Sequence, residues 1–518
     1  MLGLFLSVSS ATATILAVVA AVAIDLRVNP VARSRPYQLR RARNWTAMGG
    51  TYALMYMARY AVVVINTDHT RAQLGVRKGG YGIVLLLGYW TYGAFQLVNG
   101  FALDSIGGKA GLRAGAAGCG VCCLCVGLVL YALRATTDTP PLISLAALGA
   151  FNIINMAFNT TASLSVIKVN AAWYSKLERG VFSGVFGVCI SFGYFMALVV
   201  GGWIYHSLPF FAVFLAPGGA LLGAYVLVGA AVADVPPPGL VEPPPTGHPA
   251  APPELELDEI SAQEEAPPAL EVLSTDTLVT TPEVDHQPSV PSPCCGHLVR
   301  CSCQINSEVF AAALRCAVAE PRIVASMVGL FGVGWVREGF LAWFASYLYA
   351  SGAVAEGTTF YTAVTTVITL AGMIGSLAGG YVSDTCFGSR RGPVAFFYCA
   401  CQVVVLAAFG PAAHWGGPGI LIAMIGMLSS VLFGALTLLM GAASVDYIDP
   451  KLTGTVSGLM NSSQYVGAGL AAWIVGSVVE AVGWDAFAPM LMIGAVISTA
   501  AMWKLMHNSA ERRPTESV

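Results

Sequence analysis

The chain has 518 residues, 56% of them hydrophobic and 10% charged, with a mean hydropathy of +0.70, whereas soluble domains carry about 25% charged residues. This composition excludes a soluble enzyme. At roughly 20 apolar residues per crossing it leaves room for on the order of a dozen membrane-spanning helices. The formal net charge of -2 averages segments of opposite character, so its distribution along the chain carries the information.

Taken in chain order, apolar stretches occupy residues 2–24, 45–66, 82–103, 111–133, 142–167, 180–203 and 208–233. After a break, six more follow at 322–346, 358–382, 392–411, 418–442, 453–477 and 485–506. The first set aside, the pattern predicts an all-α polytopic membrane protein with two six-helix bundles, 45–233 and 321–507, and a tail at 508–518. Residues 2–24 read as an extra, uncleaved helix within an N-terminal segment, 1–44, that ends in a basic cluster. A cleaved signal peptide and a misassigned start codon are the alternatives.

The break, 234–320, holds 15 of the 28 prolines, and between Asp234 and Asp285 it has 12 acidic residues and no Lys or Arg. Such a segment can neither bury apolar surface nor hold a helix register, so it reads as a disordered acidic linker. Near its end, the run from Cys294 to Cys303 with His297 offers soft zinc ligands. Its spacing matches no recognised finger, and palmitoylated or free thiols suit it better, so neither a metal nor a cofactor is expected. The cysteines in the apolar stretches behave as small hydrophobes.

With the linker in the cytoplasm, 20 of the 26 basic residues fall on its side of the membrane and four, Arg71, Arg77, Lys78 and Arg134, on the other. By the positive-inside rule this puts the linker and the C-terminus in the cytoplasm. The remaining two, Arg59 and Arg337, lie inside apolar helices.

The halves repeat. Arg59 and Arg337 are 278 residues apart, Gly100 to Asp104 matches Gly380 to Asp384 at an offset of 280, and Arg179 to Gly184 resembles Thr453 to Gly458 at 274. Parallel six-helix repeats related by an axis along the membrane normal are the architecture of the major facilitator fold, with the substrate between the halves near the midplane.

On these residues the sequence resembles the organophosphate:phosphate antiporters of that superfamily, which include glycerol-3-phosphate and sugar-phosphate transporters. The resemblance is carried by Tyr52, Tyr56 and Arg59; by Tyr92 and Gly93 before Gly100 and Asp104; and by Trp173 to Gly180. In the second half it is carried by Arg337-Glu338-Gly339, Trp343, Tyr347-Leu348, Ala371 to Gly375 through Ser383-Asp384, Gly454-Thr455 and Gly483-Trp484-Asp485. It implies exchange of an organic phosphate for inorganic phosphate, with Arg59 and Arg337 clamping the phosphate and Tyr52, Tyr56 and Tyr92 as nearby hydroxyl donors. It also implies that Gly100, Asp104, Asp384, Arg390 and Arg391 latch the halves by salt bridges. Bacterial members carry a Lys where this chain has Gln96, a Gly-Trp-Pro-Pro run where it has Thr161 to Ser165, a His where it has Ile190, and a Glu where it has Thr369.

The residues support the anion reading independently. An arginine at membrane depth costs about 2.5 to 3.5 kcal/mol on insertion scales, and its planar, permanently charged fork matches phosphate oxygens bidentately. The competing reading is a structural ion pair. The only acid well inside the spans is Glu338, which as the neighbour of Arg337 projects about 100° away from it, a separation that still leaves it able to reach Arg337 indirectly. All seven histidines fall in loops, helix ends or the linker, which favours exchange over proton coupling. A carrier of another organic anion, such as a carboxylate, and a non-transporting sensor are the other functions considered. The expected partners are a small anionic substrate and the lipid bilayer of the endoplasmic reticulum or plasma membrane, with no nucleic acid and a monomeric state.

Overall fold

The computed structural model describes residues 33–134, 141–174, 187, 189–237, 240, 314–315, 318–350, 358–387, 391–415, 417–441 and 453–510, with Thr12 and Leu16. The expected helix at 2–24, the linker beyond 240 with its cysteine cluster, and the tail after 510 therefore lie outside the described residues, save for isolated positions.

Among the described residues, twelve long helices follow one another. In the first half they are α1 (Arg35–Val64), α2 (Lys78–Ile106), α3 (Gly108–Arg134), α4 (Pro141–Trp173), α5 (Cys189–Ser207) and α6 (Ala212–Ala231). In the second they are α7 (Pro321–Ala350), α8 (Thr358–Cys386), α9 (Arg391–Trp415), α10 (Gly417–Gly441), α11 (Thr453–Val482) and α12 (Phe487–Ala510). Eleven are long and apolar enough to cross a membrane. The exception is α1, where Arg59, four tyrosines and an arginine-rich first third dilute the hydropathy. It begins at Arg35, ten residues before the apolar stretch, because the basic cluster continues the helix, with Pro36 in its first turn.

Packing within each half buries backbones against small residues. The α7–α11 approach depends on glycine, since a methyl at Gly334 would lie 2.1 Å from the Gln464 carbonyl oxygen and one at Gly467 2.2 Å from that of Phe331. In the first half α4 holds α1 with asparagines: Asn155 Nδ2 donates to the Ala58 oxygen at 3.1 Å and Asn159 Nδ2 to that of Met55 at 2.9 Å. These residues are four apart and so share one face. The turn from α2 to α3 requires Gly107 at φ 86°. There Asp234 accepts from the Lys109 amide at 2.7 Å, which fixes the end of the first bundle to the N-terminus of α3.

Between the halves, α2 packs along α11 and α5 against α8. Each contact sets the second helix of one half on the fifth of the other, as the internal repeat requires. A π-turn, Phe195–Val200, interrupts α5 immediately after Tyr194. Such turns reset helix register and occur frequently at functional sites.

Replacing both Asn155 and Asn159 with Leu should lower stability by about 0.6 to 1.7 kcal/mol per bond lost. This is read as a lower thermal midpoint of the detergent-solubilised protein, and an unchanged midpoint would contradict the asparagine tie.

Candidate substrate site between the halves

Arg59 lies in α1 and Arg337 in α7, the first helices of the two repeats, and both are buried. Their guanidinium carbons sit 5.1 Å and 5.9 Å from the centre of the same ring, Tyr465 of α11. The repeat thus brings one arginine from each half to a single aromatic residue.

The two have different surroundings. Arg59 donates to the Tyr465 hydroxyl at 2.5 Å and stands over the ring of Tyr92 at 4.2 Å, with the rings of Tyr56 and Tyr60 within 6 Å. Among the described residues it pairs with no carboxylate, and its Nε has no hydrogen-bond partner. Aromatic faces stabilise a cation without cancelling its charge. Arg337 is paired: its Nη2 lies 2.7 Å from Glu338 Oε1. The ion-pair alternative thus holds for Arg337, since both side chains are long enough to close the 100° between their Cβ directions. With its amide oxygen turned toward Arg337, Gln464 accepts from Nη1 and Nη2 at 2.8 Å each and donates to Asn461 Oδ1 at 3.2 Å.

Glu338 is fully buried. Besides Arg337 it accepts from Tyr60 at 3.0 Å and Tyr89 at 2.8 Å, both from the first half. Tyr194 completes the cluster, its hydroxyl 3.2 Å from that of Tyr60 and its ring edge-on to Phe433 of α10.

Of the expected site residues, Arg59, Arg337, Tyr56 and Tyr92 converge here, the tyrosines presenting ring faces to Arg59. Tyr52 stands one step away, packed edge-on against Tyr56 at 5.0 Å. Tyr60, Tyr89, Tyr194, Gln464 and Tyr465 were not anticipated. The available signal for α11 was the polar run Asn461 to Gln464 within an apolar span. In the expected latch, Gly100 lies in α2 with open space where a side chain would project. The side chains of Asp104, Asp384 and Arg391, and the whole of Arg390, lie outside the described residues.

At the C-terminal end of α1, polar bonds tie the two halves together. Asn66 donates to the Ala342 oxygen at 2.6 Å, and Ser346 Oγ to the Asn66 oxygen at 2.8 Å. Arg71, from the short helix Asp68–Gln73, donates to Ser346 at 3.2 Å, bonds Asn66 and Asp68, and stands over Trp343. Burial moves its guanidinium below the usual arginine range, an effect Asp68 opposes. A cavity of about 830 Å³ opens at this face, lined in part by Thr67, Thr70, Tyr205, His206 and Tyr349. The arginines do not line it.

These arrangements define a two-fold repeated transport fold around a buried cationic centre. The family model described as Major Facilitator Superfamily matches residues 48–472, and the chain belongs to that superfamily. Its relatives include the probable hexose phosphate transport protein of Chlamydia trachomatis, 30% identical over 132 residues, which are 25% of this chain and 28% of that protein. The membrane sensor protein UhpC of Escherichia coli is 25% identical over 32% of this chain and 37% of its own length. The glycerol-3-phosphate transporter of Bacillus subtilis is 27% identical over 33% and 38%. These matches cover between 28% and 38% of each relative's length. In fold, the chain is similar to a bacterial homologue of the human lysosomal transporter Spinster in an inward-facing, unoccupied conformation, with a TM-score of 0.64 at 12% identity over 93% of this chain and 100% of that one.

Replacing Arg71 with Met should loosen the tied end. A cysteine introduced at Ala345, which is buried, should then react with a membrane-impermeant thiol reagent faster than in the parent carrying Arg71. Equal rates would contradict a closing role for this arginine.

Proposed function

We propose that the protein exchanges an organic phosphate, such as glycerol-3-phosphate or a hexose phosphate, for inorganic phosphate by alternating access. One observation carries this reading: an arginine from each half converges on Tyr465, and Arg59 meets aromatic rings in place of a counterion. A phosphate provides two or more oxygens for two forks, and low dielectric strengthens each charge-assisted bond. Exchange follows from charge, because the empty centre keeps an uncompensated cation, and a bound anion lowers the cost of carrying it between the two faces. The sugar-phosphate and glycerol-3-phosphate relatives support the substrate class.

In this reading the bundles at 45–233 and 321–507 rock about the centre, joined by the acidic tether 234–320. Tyr56 and Tyr92 flank the substrate, with Tyr52 behind them. Gly100, Asp104, Asp384, Arg390 and Arg391 latch the linker end. The 20-to-4 distribution of basic residues supports a cytoplasmic linker and C-terminus, in an endomembrane or the plasma membrane.

Vesicles holding the purified protein and preloaded with phosphate should take up labelled glycerol-3-phosphate or hexose phosphate faster than empty ones. Absence of this stimulation would contradict exchange. Arg59→Lys keeps the charge and loses the fork, so it should lower uptake about tenfold or more, given about 1.5 to 3 kcal/mol per hydrogen bond to a charged group.

A second reading, a non-transporting sensor, is favoured by the likeness to UhpC. Deleting residues 240–290 separates the two. Uptake that survives the deletion supports the exchanger, whereas lost signalling with no measurable transport at any stage supports the sensor.

A further inference from the structure

The two half-repeats are not equivalent in charge. Arg59 and its counterpart Arg337 are both buried cations, but only the second is followed by an acid, Glu338, which is fully enclosed. The groups that face this carboxylate are Tyr60 from α1, Tyr89 from α2, Tyr194 from α5 and Arg337 from its own helix, with Arg59 and Tyr465 behind them. Tyr60 and Tyr89 donate directly to the carboxylate oxygens, and Arg337 forms an ion pair with it. Counting Glu338 as the carboxylate of that ion pair, the described charged groups of the centre, two guanidiniums and one carboxylate, sum to +1.

Net charge in a low-dielectric site is costly, and the cost grows with its square. A singly charged anion brings the loaded centre to zero. A doubly charged one takes it to -1, no better than the empty state. We propose that Glu338 sets the charge of the transported species, making the centre select the monoanion of its phosphate substrate over the dianion. This rests on the phosphate reading above and adds a selectivity that the two arginines alone would not have: without the carboxylate they would sum to +2 and favour a dianion. The position of Glu338 also makes it sensitive to the transport cycle. Its two tyrosine donors belong to the first half and its arginine to the second, so the carboxylate lies at the junction across which the halves move.

The test uses the full chain in vesicles preloaded with phosphate, and compares uptake of labelled glycerol-3-phosphate, a permanently monoanionic phosphate diester (dimethyl phosphate) and the dianion sulfate between pH 5.5 and 7.5. With a second pKa near 6 for a phosphate monoester, wild-type glycerol-3-phosphate uptake at limiting concentration should fall about twentyfold over that range, following the monoanion. Uptake of the diester should be flat and that of sulfate weak at every pH. In Glu338→Gln the order should invert, with glycerol-3-phosphate uptake rising about fourfold with pH as the dianion fraction grows, and with sulfate accepted. Glu338→Asp, which keeps the charge, should keep the wild-type profile. The wild-type measurements stand whether or not the variants fold. Sulfate taken up as readily as the diester, sulfate uptake that increases toward acid pH, or a Gln variant with the wild-type profile would each overturn the proposal. No uptake of any phosphate species would instead overturn the phosphate reading itself.

Discussion

The structure depends on one unusual burial, that of the Arg59 guanidinium, which is 2% exposed and has tyrosine rings where a carboxylate would ordinarily be. A permanent charge in this position is costly unless something nearby compensates it. The surrounding rings, Tyr56, Tyr60, Tyr92 and Tyr465, supply partial compensation through their π faces. The uncompensated remainder is what gives an anion a reason to enter.

Other features follow from keeping that charge in place while two halves remain able to part. The polar bonds that cross the centre are reciprocal. The first half's arginine donates to the second half's Tyr465, and the second half's Glu338 accepts from the first half's Tyr60 and Tyr89. Each half thus presents its charge to neutral hydroxyls of the other, which can be exchanged for substrate oxygens at little cost. Within the halves the contacts are of another kind. Glycines let α7 and α11 touch backbone to backbone, and asparagines of α4 hold the carbonyls of α1 just before Arg59. Glycine also brings α2 and α11 close across the halves, where a methyl at Gly82 would lie 2.9 Å from the Ala472 oxygen.

Much of this was legible in the sequence. Hydropathy gave the twelve helices, because a membrane span is a long apolar run with few charges, and Arg59 and Arg337 stood out because charges are costly there. The repeat offset paired them before any geometry was known. The start of α1 was not legible, since an arginine-rich stretch scores as loop on hydropathy although it continues the helix from Arg35. Whether Arg337 and Glu338 pair was not legible from Cβ directions, because the reach of two long side chains overrides a 100° separation. Tyr60, Tyr89, Tyr194 and Tyr465 were missed for a simpler reason. A tyrosine in an apolar helix reads as packing until tertiary structure reveals which charge its ring or hydroxyl meets.

The central claim is that the two arginines form one anion site, and an experimental structure of the protein with phosphate bound tests it most directly. The account predicts phosphate density contacting both guanidiniums, with Arg59 released from the Tyr465 hydroxyl. Phosphate bound elsewhere, with Arg59 still on Tyr465 and Arg337 still held by Glu338 and Gln464, would contradict it.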